Sequence, residues 1–155
     1  MSSQQPSSIN CFVCGVKNPA GLRLRFFQSG PNEVVADVTI PEHYEGYPGI
    51  VHGGIIAALL DEAAGRTLMG DQDNPQFMFT GRLDIHYRKN VPTGKQLRLV
   101  GKSTKRRGRV AKADSAIYDQ EGNVLAEAKA VLIDVPSSMI QNVDLESLGW
   151  KIYDE

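Results

Sequence analysis

A glycine pair followed by an acidic pair stands in the middle of the chain. Gly53 and Gly54 begin a segment with the apolar spacing of a helix, and Asp61 and Glu62 follow about two turns later. The first N–H groups of a helix lack partners inside it and carry partial positive charge. Because glycine has no side chain, a ligand oxygen can come close to them. The segment could therefore polarise a carbonyl and activate water.

A purely structural interpretation of the same residues stays open. A Gly-Gly pair often marks only a tight helix start, and a helical Asp often caps or pairs. Against this, a carboxylate on a buried helix face costs several kcal/mol unless it is paired or used. The chain has no G-x-S-x-G elbow, and its three histidines form no ligand-spaced cluster, so we expect neither a nucleophilic serine nor a metal.

The elements around these residues predict an α+β domain. Apolar residues at helical spacing run from Gly53 to Leu68, with Gly70 as a stop. Before the helix, residues 21–26 and 34–40 alternate like strands around a Ser-Gly-Pro-Asn turn. After a polar loop over 71–75, four longer strands follow, near 82–88, from 97, over 109–118 and over 124–135. This order predicts an antiparallel sheet of about six strands wrapped around one long central helix.

Length and composition predict one domain with flexible ends. The 155 residues suit a single core. Residues 1–10 are rich in Ser, Gln and Pro and are expected to be a flexible tail, residues 11–136 the folded domain, and residues 137–155 a tail with a short helix near 143–148.

Charge and targeting signals limit the partners. The formal charge of −1 argues against nucleic-acid binding by bulk charge. After the N-terminal tail, the longest stretch without Asp, Glu, Lys or Arg is 46–60, which is too short and too polar to cross a bilayer, so we expect no membrane insertion. No secretory signal is visible, so the expected location is cytoplasmic. Cys11 and Cys14 are too few for a disulfide scaffold or a four-ligand zinc site and are expected to be buried free thiols.

The wider pattern resembles one family. His52-Gly53-Gly54 with Asp61 nine positions after the histidine is similar to the signature of hotdog-fold acyl-CoA thioesterases, of the phenylacetate-pathway and human mitochondrial types. Three further stretches support the resemblance: Cys11-x-x-Cys14-Gly15-x-x-Asn18-Pro19-x-Gly21-Leu22, Glu45-Gly46-x-Pro48-Gly49-x-Val51, and Thr80 ahead of the next strand. The resemblance covers roughly residues 11–135.

The resemblance implies an acyl-CoA thioester hydrolase without a cofactor. In it, Asp61 acts as general base or nucleophile, the Gly53 N–H polarises the thioester carbonyl, His52 orders the helix start and Thr80 helps to hold the water. Gly54 would also contact substrate. An asparagine that some relatives have six residues before the histidine is Gly46 here, so its amide is missing. Other hotdog thioesterases use a helical glutamate, which leaves Glu62 as an alternative to Asp61.

Spacing along the helix predicts a shared site. Gly53 and Asp61 are eight residues apart, which is roughly 12 Å at 1.5 Å per residue. An aspartate cannot cross that gap to a shared carbonyl. We therefore expect a composite site in a dimer or a dimer of dimers.

Basic residues cluster around a turn at Gly108. The cluster is Lys102, Lys105, Arg106, Arg107, Arg109 and Lys112. It is either a solvated hairpin or a clamp for the phosphates of coenzyme A, with Arg107, Arg109 and Lys112 as the expected contacts. His86 and Arg88 share a strand face, and the resemblance places substrate contacts there. Two alternatives to hydrolysis remain: an enoyl-CoA hydratase or dehydratase, and a non-catalytic acyl-CoA-binding module.

Overall fold

The structure, a computed structural model, describes residues 2–70 and 74–154. In chain order its elements are β1 (Ser3–Gln4), β2 (Phe27–Gly30), β3 (Glu33–Thr39), a 3-10 turn (Glu42–Tyr44), β4 (Glu45–Tyr47), β5 (Ile50–Val51), α1 (Gly53–Gly65), β6 (Met78–Tyr87), β7 (Gln96–Arg107), β8 (Val110–Tyr118), β9 (Val124–Asp134) and α2 (Ser137–Ile140). Across these ranges, α1 and α2 both lack the length and apolar character that a membrane-crossing helix needs.

The predicted α+β architecture is confirmed. Seven strands pair antiparallel in the order β1-β2-β3-β7-β8-β9-β6, and β4 and β5 form a separate pair. The core lies between this sheet and α1 and includes the fully buried Leu59 and Leu60. Gly101 on β7 permits the close packing, because a Cβ there would lie 2.3 Å from the Ala63 carbonyl oxygen.

Helix α1 begins at the predicted residue but ends earlier than predicted. Its last residue is Gly65, and Arg66 follows as the C-cap, so the helix does not reach Gly70. Arg66 is 2% exposed and its guanidinium lies 4.6 Å from the centre of the Phe26 ring. Its Nη1 donates to the Pro6 carbonyl at 2.9 Å. The buried cation therefore ties the end of the helix to the N-terminal segment. The predicted loop over 71–75 lies partly outside the described residues, since 71–73 are not among them.

The first strand is displaced from its predicted position. Residues 21–26 were expected to pair with the following strand, but β2 begins at Phe27. The N–H groups of Leu22 and Leu24 donate instead to the carbonyls of Phe12 and Val13. Between them Arg23 has a φ of 54°, which interrupts regular strand geometry. The predicted turn before β3 is present, with Gly30 opposite Glu33.

Both chain ends contact the domain. Where a flexible tail was expected, Ser3–Gln4 pairs with β2, and the Gln5 N–H donates to the Phe26 carbonyl at 2.8 Å. Ser7 and Lys151 form an isolated bridge between the two ends. In the C-terminal segment the short helix is α2, over Ser137–Ile140, so the position predicted for it near 143–148 is wrong; turns lie over 145–149 instead. Polar residues order these ends because their hydrogen bonds are made to the domain, which composition does not reveal.

A bulge in β6 changes which way its side chains point. Thr80 pairs with Leu132 and Arg82 with Val131, so Gly81 is an extra residue in the ladder. Strict alternation would place Thr80 on the same face as Arg82. Because of the bulge, Thr80 shares the helix-facing side with Leu83, which packs against the core. β6 is the last strand of the sheet, and its outer edge pairs with no strand in the described ranges.

Candidate active site

The start of α1 leaves one amide free. His52 is the N-cap, and its Nδ1 accepts a hydrogen bond from the Gly54 N–H at 2.9 Å. The His52 carbonyl accepts from the N–H groups of Ile55 and Ile56. Among the first-turn amides, the Gly53 N–H is the one without a hydrogen-bond partner in the described part of the chain. That amide, rather than the one of Gly54, is available to a ligand oxygen.

Gly54 has a different part in the same cap. A Cβ at position 54 would lie 3.1 Å from His52 Nδ1, closer than side chains normally approach. Glycine therefore permits the imidazole to fold over the helix start and accept the amide. The structure places His52 at the helix start, and the Gly54 N–H donates to its imidazole; the predicted substrate contact of Gly54 stays a prediction.

A groove of about 430 Å³ opens beside Gly53. Its walls include Tyr47, Ile50, Ile56 and Tyr87. The Tyr87 hydroxyl donates to the Gly53 carbonyl at 2.9 Å, so the ring stands next to the free amide. Sequence reasoning treated Tyr87 only as a strand residue, although its place on the helix-facing side of β6 follows from the alternation with Leu83 and Ile85. The groove is largely apolar and has Gly53 in its wall.

Asp61 and Thr80 are in direct contact. The Thr80 hydroxyl Oγ1 donates to Asp61 Oδ1 at 2.6 Å. The other carboxylate oxygen accepts no hydrogen bond from the described residues. Asp61 is half-buried, and its partner sits on β6 at the open edge of the sheet. The carboxylate is thus oriented by one oxygen while the other remains able to take a proton from water.

Glu62 lies in a different environment. Arg66 Nε approaches Glu62 Oε1 at 2.9 Å, and the Glu62 side chain is 23% exposed. The thiol of Cys11 lies 3.9 Å from the same oxygen. Its neighbours are therefore the end of α1 and the N-terminal segment, whereas the neighbour of Asp61 is β6. Of the two adjacent carboxylates, Asp61 alone is directed to the open edge.

His86 and Arg88 lie on the opposite face of the sheet from α1. They line a shallow depression of about 470 Å³ together with Arg82 and Lys129. Arg88 Nη2 forms an ion pair with Glu127 at 2.8 Å, and its hydrogen bond holds the pKa of Glu127 below the usual value. These two predicted contacts share a face, as expected, but the structure does not bring them together with Gly53 and Asp61 within one chain.

The basic cluster forms the β7–β8 hairpin. Arg106 makes an ion pair with Asp134 at 2.8 Å, and Lys102 approaches Glu33 at 3.9 Å. Four members form no ion pair within the described residues: Lys105, Arg107, Arg109 and Lys112. Across the sheet, Thr80, Leu132, Ala111 and Arg106 lie in one register row. The hairpin is therefore at the Asp61 end of the domain, far from Gly53 of the same chain.

The segment that contains α1 and β6 matches the model of a known protein family. The family model described as thioesterase superfamily matches residues 48–126, just over half of the chain, including Gly53, Asp61 and Thr80. The chain belongs to the thioesterase superfamily.

Solved structures agree with the superfamily assignment. RHA08564, a thioesterase superfamily protein, is 27% identical with a TM-score of 0.72, covering 80% of this chain and 60% of its own. The chain thus spans about three fifths of the length of that relative. A Streptococcus mutans UA159 protein bound to acetyl CoA has a TM-score of 0.65, 19% identity, and coverage of 72% of this chain and 88% of that one.

One further solved structure and one curated protein are also similar to this chain. A Streptococcus pneumoniae TIGR4 hypothetical thioesterase protein with coenzyme A has a TM-score of 0.65 and 20% identity, covering 72% of this superfamily member and 85% of that protein. Among curated proteins, a 3-hydroxyacyl-(acyl-carrier-protein) dehydratase, FabZ, of Bacillus pumilus (strain SAFR-032) is 31% identical over 102 residues. That match covers 61% of this chain and 69% of the dehydratase.

Proposed function

We propose that this superfamily member hydrolyses acyl-CoA thioesters to the free acid and coenzyme A. The observation that carries the proposal is the Thr80-oriented Asp61 carboxylate on the same helix as the free Gly53 amide. Coenzyme A in one structural relative and acetyl CoA in another support a CoA ester as substrate. The groove beside Gly53 has the apolar walls that suit the acyl group or its pantetheine arm.

The proposed chemistry needs few groups. Asp61 takes a proton from water as the oxygen attacks the carbonyl carbon, or attacks that carbon itself. The Gly53 N–H donates to the oxyanion. A general base contributes roughly 10²–10⁴-fold, and one oxyanion donor on the order of 10²–10³-fold. Thiols are acidic enough, with a pKa of about 8.5 for free cysteine, for a thiolate to depart without a dedicated acid.

The site is proposed to form between two chains. On α1, Gly53 and Asp61 are separated by about 12 Å along the axis. β6 contacts both residues, with Thr80 near one end of the strand and Tyr87 near the other. Its long edge, which pairs with no strand among residues 2–70 and 74–154, is suited to antiparallel pairing with a second copy. A two-fold axis near Leu83 would place Thr80 opposite Tyr87 of the partner subunit, and so bring Asp61 to the partner's Gly53.

The nucleotide of the substrate is assigned to the basic hairpin. The hairpin lies at the Asp61 end of the sheet, which is where a thioester shared with the partner subunit would sit. Arg107, Arg109 and Lys112 are therefore proposed as phosphate contacts. His86 and Arg88 face away from α1, and they are proposed to contact a substrate held by a further chain packed on the outer face.

The test is a hydrolysis screen over CoA esters of different acyl length, with thiol release as the readout. Turnover should fall at least about 100-fold in kcat in Asp61→Asn, with little change in KM, because the carboxylate acts mainly in the transition state. Glu62→Gln is the matched control; in protein verified as folded it should retain most of the activity, because Glu62 lies beside Arg66 and away from β6. Equal turnover of Asp61→Asn and the unchanged protein would contradict the proposal.

A second candidate function is enoyl-CoA hydration or dehydration. The 31% sequence identity to the Bacillus pumilus dehydratase over 102 residues favours this second function. Such chemistry also polarises a thioester carbonyl but adds water to the neighbouring double bond. Glu62, the other helical acid, is held by Arg66 away from the groove, which weighs against it as the base. Enoyl-CoA hydration without thiol release would select the dehydratase, and CoA-ester binding without any turnover would select a binding module.

A further inference from the structure

Cys11 and Cys14 stand together in a turn outside the proposed active site. The Gly15 N–H donates to the Cys11 carbonyl at 2.8 Å and closes one helical turn over the Cys-x-x-Cys stretch. A Cβ at position 15 would lie 2.3 Å from that carbonyl oxygen, so the turn requires glycine after the second cysteine. In one helical turn, residues three apart face the same side. The turn therefore holds the two thiols together.

The two sulfurs differ in what surrounds them. Cys14 is 1% exposed, whereas Cys11 is only partly buried. The Cys14 N–H donates to Cys11 Sγ at 3.5 Å, and the two sulfurs and a Glu62 oxygen all lie within 4.8 Å of one another. The Ser8 hydroxyl lies 3.9 Å from Cys14 Sγ. Cys11 is thus the more exposed of the two; its sulfur accepts a hydrogen bond from the Cys14 N–H and lies within hydrogen-bond distance of Glu62, whereas Cys14 is buried.

Hydrogen bonding separates the acidities of the two thiols. The hydrogen bond from the Cys14 side chain lowers the pKa of Cys11 to about 6, against the opposing effects of burial and of the Glu62 charge. The same interaction, together with burial, raises the pKa of Cys14, although the Arg66 cation acts in the opposite direction. This interaction therefore favours the thiolate at Cys11 and the protonated thiol at Cys14.

We propose that Cys11 and Cys14 form a redox-active dithiol that reacts with low-molecular-weight disulfides. The Cys11 thiolate attacks one sulfur of the small disulfide, forming a mixed disulfide and releasing the other half as a thiolate. Cys14 then attacks Cys11 Sγ, its proton passes to solvent, and the second half leaves. In sum, two protein thiols and one small disulfide give one protein disulfide and two small thiols.

A metal ion is the competing occupant of this cluster. Two sulfurs and a carboxylate at these separations could ligate zinc. However, Arg66 already pairs with Glu62 at 2.9 Å and is itself buried, so the cluster contains a fixed positive charge next to the carboxylate. Because Glu62 is already engaged by that cation, it is a poorer ligand for a divalent ion. The geometry thus supports dithiol chemistry over ligation.

The experiment incubates the full chain with oxidised and reduced glutathione in varied ratio, quenches with acid and measures intact mass and free thiols. Because the chain has two cysteines, formation of the disulfide takes the thiol count from two to zero without a glutathione adduct. Cys14→Ser should stop at a glutathione adduct on Cys11. At neutral pH, Cys11→Ser should react at least about tenfold more slowly than Cys14→Ser, because its remaining thiol is buried and protonated.

Peptide mapping of the unchanged protein gives the same information without a variant, which matters if a substitution impairs folding. Brief alkylation should label Cys11 first, with a rate that rises with pH through about 6. Three outcomes would overturn the proposal: equal labelling of both cysteines, a stable glutathione adduct on the unchanged protein, or one tightly bound zinc per purified chain that blocks both thiols until a chelator is added.

Discussion

The Thr80 hydroxyl donates a 2.6 Å hydrogen bond to Asp61 Oδ1, and a β-bulge at Gly81 makes this contact possible. Without the extra residue, Thr80 would point away from the helix with Arg82. Bulges recur beside active sites, where they redirect a side chain. The contact fixes one oxygen of the Asp61 carboxylate. The position of the second oxygen is therefore determined by the protein and not by surrounding water.

We expect Thr80→Val to lower kcat about tenfold or more. Valine has a similar shape but cannot donate, and a hydrogen bond to a charged group is worth roughly 1.5–3 kcal/mol. KM should change little, because the loss affects the orientation of the base more than ground-state binding. The measurement is steady-state hydrolysis of the best CoA ester.

Thr80→Ser is the matched control for that substitution. Serine keeps the hydroxyl, so its kcat should stay within about threefold of the unchanged protein. A Thr80→Val protein as active as Thr80→Ser would show that the contact is structural and has no part in turnover.

The Gly53 amide can be removed with little disturbance to the helix. Gly53 is the first helical residue, a position that proline accepts because its N–H has no partner inside the helix. His52 has φ −56° and ψ 135°, which suits a residue before proline. We expect Gly53→Pro to lower kcat on the order of 100-fold.

Gly53→Ala is the control, because alanine keeps the N–H and its Cβ would lie 3.7 Å from the Tyr87 ring, an ordinary contact. Circular dichroism on both variants should show unchanged helix content. If the alanine variant loses as much activity as the proline variant, the steric environment and not the amide is responsible.

Mixing two inactive variants tests whether the site is shared. If Asp61 acts with Gly53 of the partner subunit, a mixed dimer of Asp61→Asn and Gly53→Pro contains one intact site and one doubly altered site. Random reassociation of equal amounts makes half of the dimers mixed, so about a quarter of the normal rate should return. The subunits are dissociated and reassociated before the assay. No recovery, with mixed dimers verified by mass, would place both groups in one chain.

Local pattern was enough to predict the helix start and the succession of four long strands after the helix. The glycine pair, the apolar spacing and the turn residues near Asn32 are short-range signals, and α1 and the β2–β3 turn form where they predict. The placement of Thr80 was expected only through a family resemblance, because strict alternation assigns it to the wrong face. The bulge at Gly81 is set by the pairing of β6 with β9, and that register could not be predicted from the sequence.

The parts that sequence reasoning missed depend on distant contacts. The N-terminal residues are polar and were expected to be flexible, yet Pro6 is held by the buried Arg66, sixty positions away. The same cation pairs with Glu62 and so gives it a different environment from Asp61. Because the two acids are neighbours in the sequence, this difference could not be predicted from their positions. Tyr87 was missed as well, because its hydrogen bond to the Gly53 carbonyl also joins residues that are distant in the sequence.

Arg109→Ala tests the basic hairpin. Arg109 forms no ion pair within the described residues and lies next to the tip of the turn, so its loss should raise KM for CoA esters several-fold and leave kcat nearly unchanged. A short thioester without the nucleotide should show no such change. Arg106→Ala is the comparison, because Arg106 is already paired with Asp134 and should affect KM less. Equal effects on both substrates would argue against phosphate binding.

Arg66→Ala should destabilise the fold without acting on the chemistry. Removing one partner of a buried ion pair typically costs about 3–5 kcal/mol, and the partly exposed Glu62 places this case near the lower end. The substitution also removes the hydrogen bond to Pro6 and the contact with Phe26. Urea denaturation followed by circular dichroism measures the change in the free energy of unfolding.

Arg82→Ala removes an arginine whose ion pair with Asp84 is exposed, with side chains 71% and 56% accessible. Exposed pairs contribute about 0–1 kcal/mol, so this variant should unfold at nearly the normal urea concentration. The contrast separates burial from charge as the source of the effect. Equal losses of stability in the two variants would mean that the buried contacts of Arg66 do not order the N-terminal segment. In that case limited proteolysis near Pro6 should show no added cleavage in Arg66→Ala.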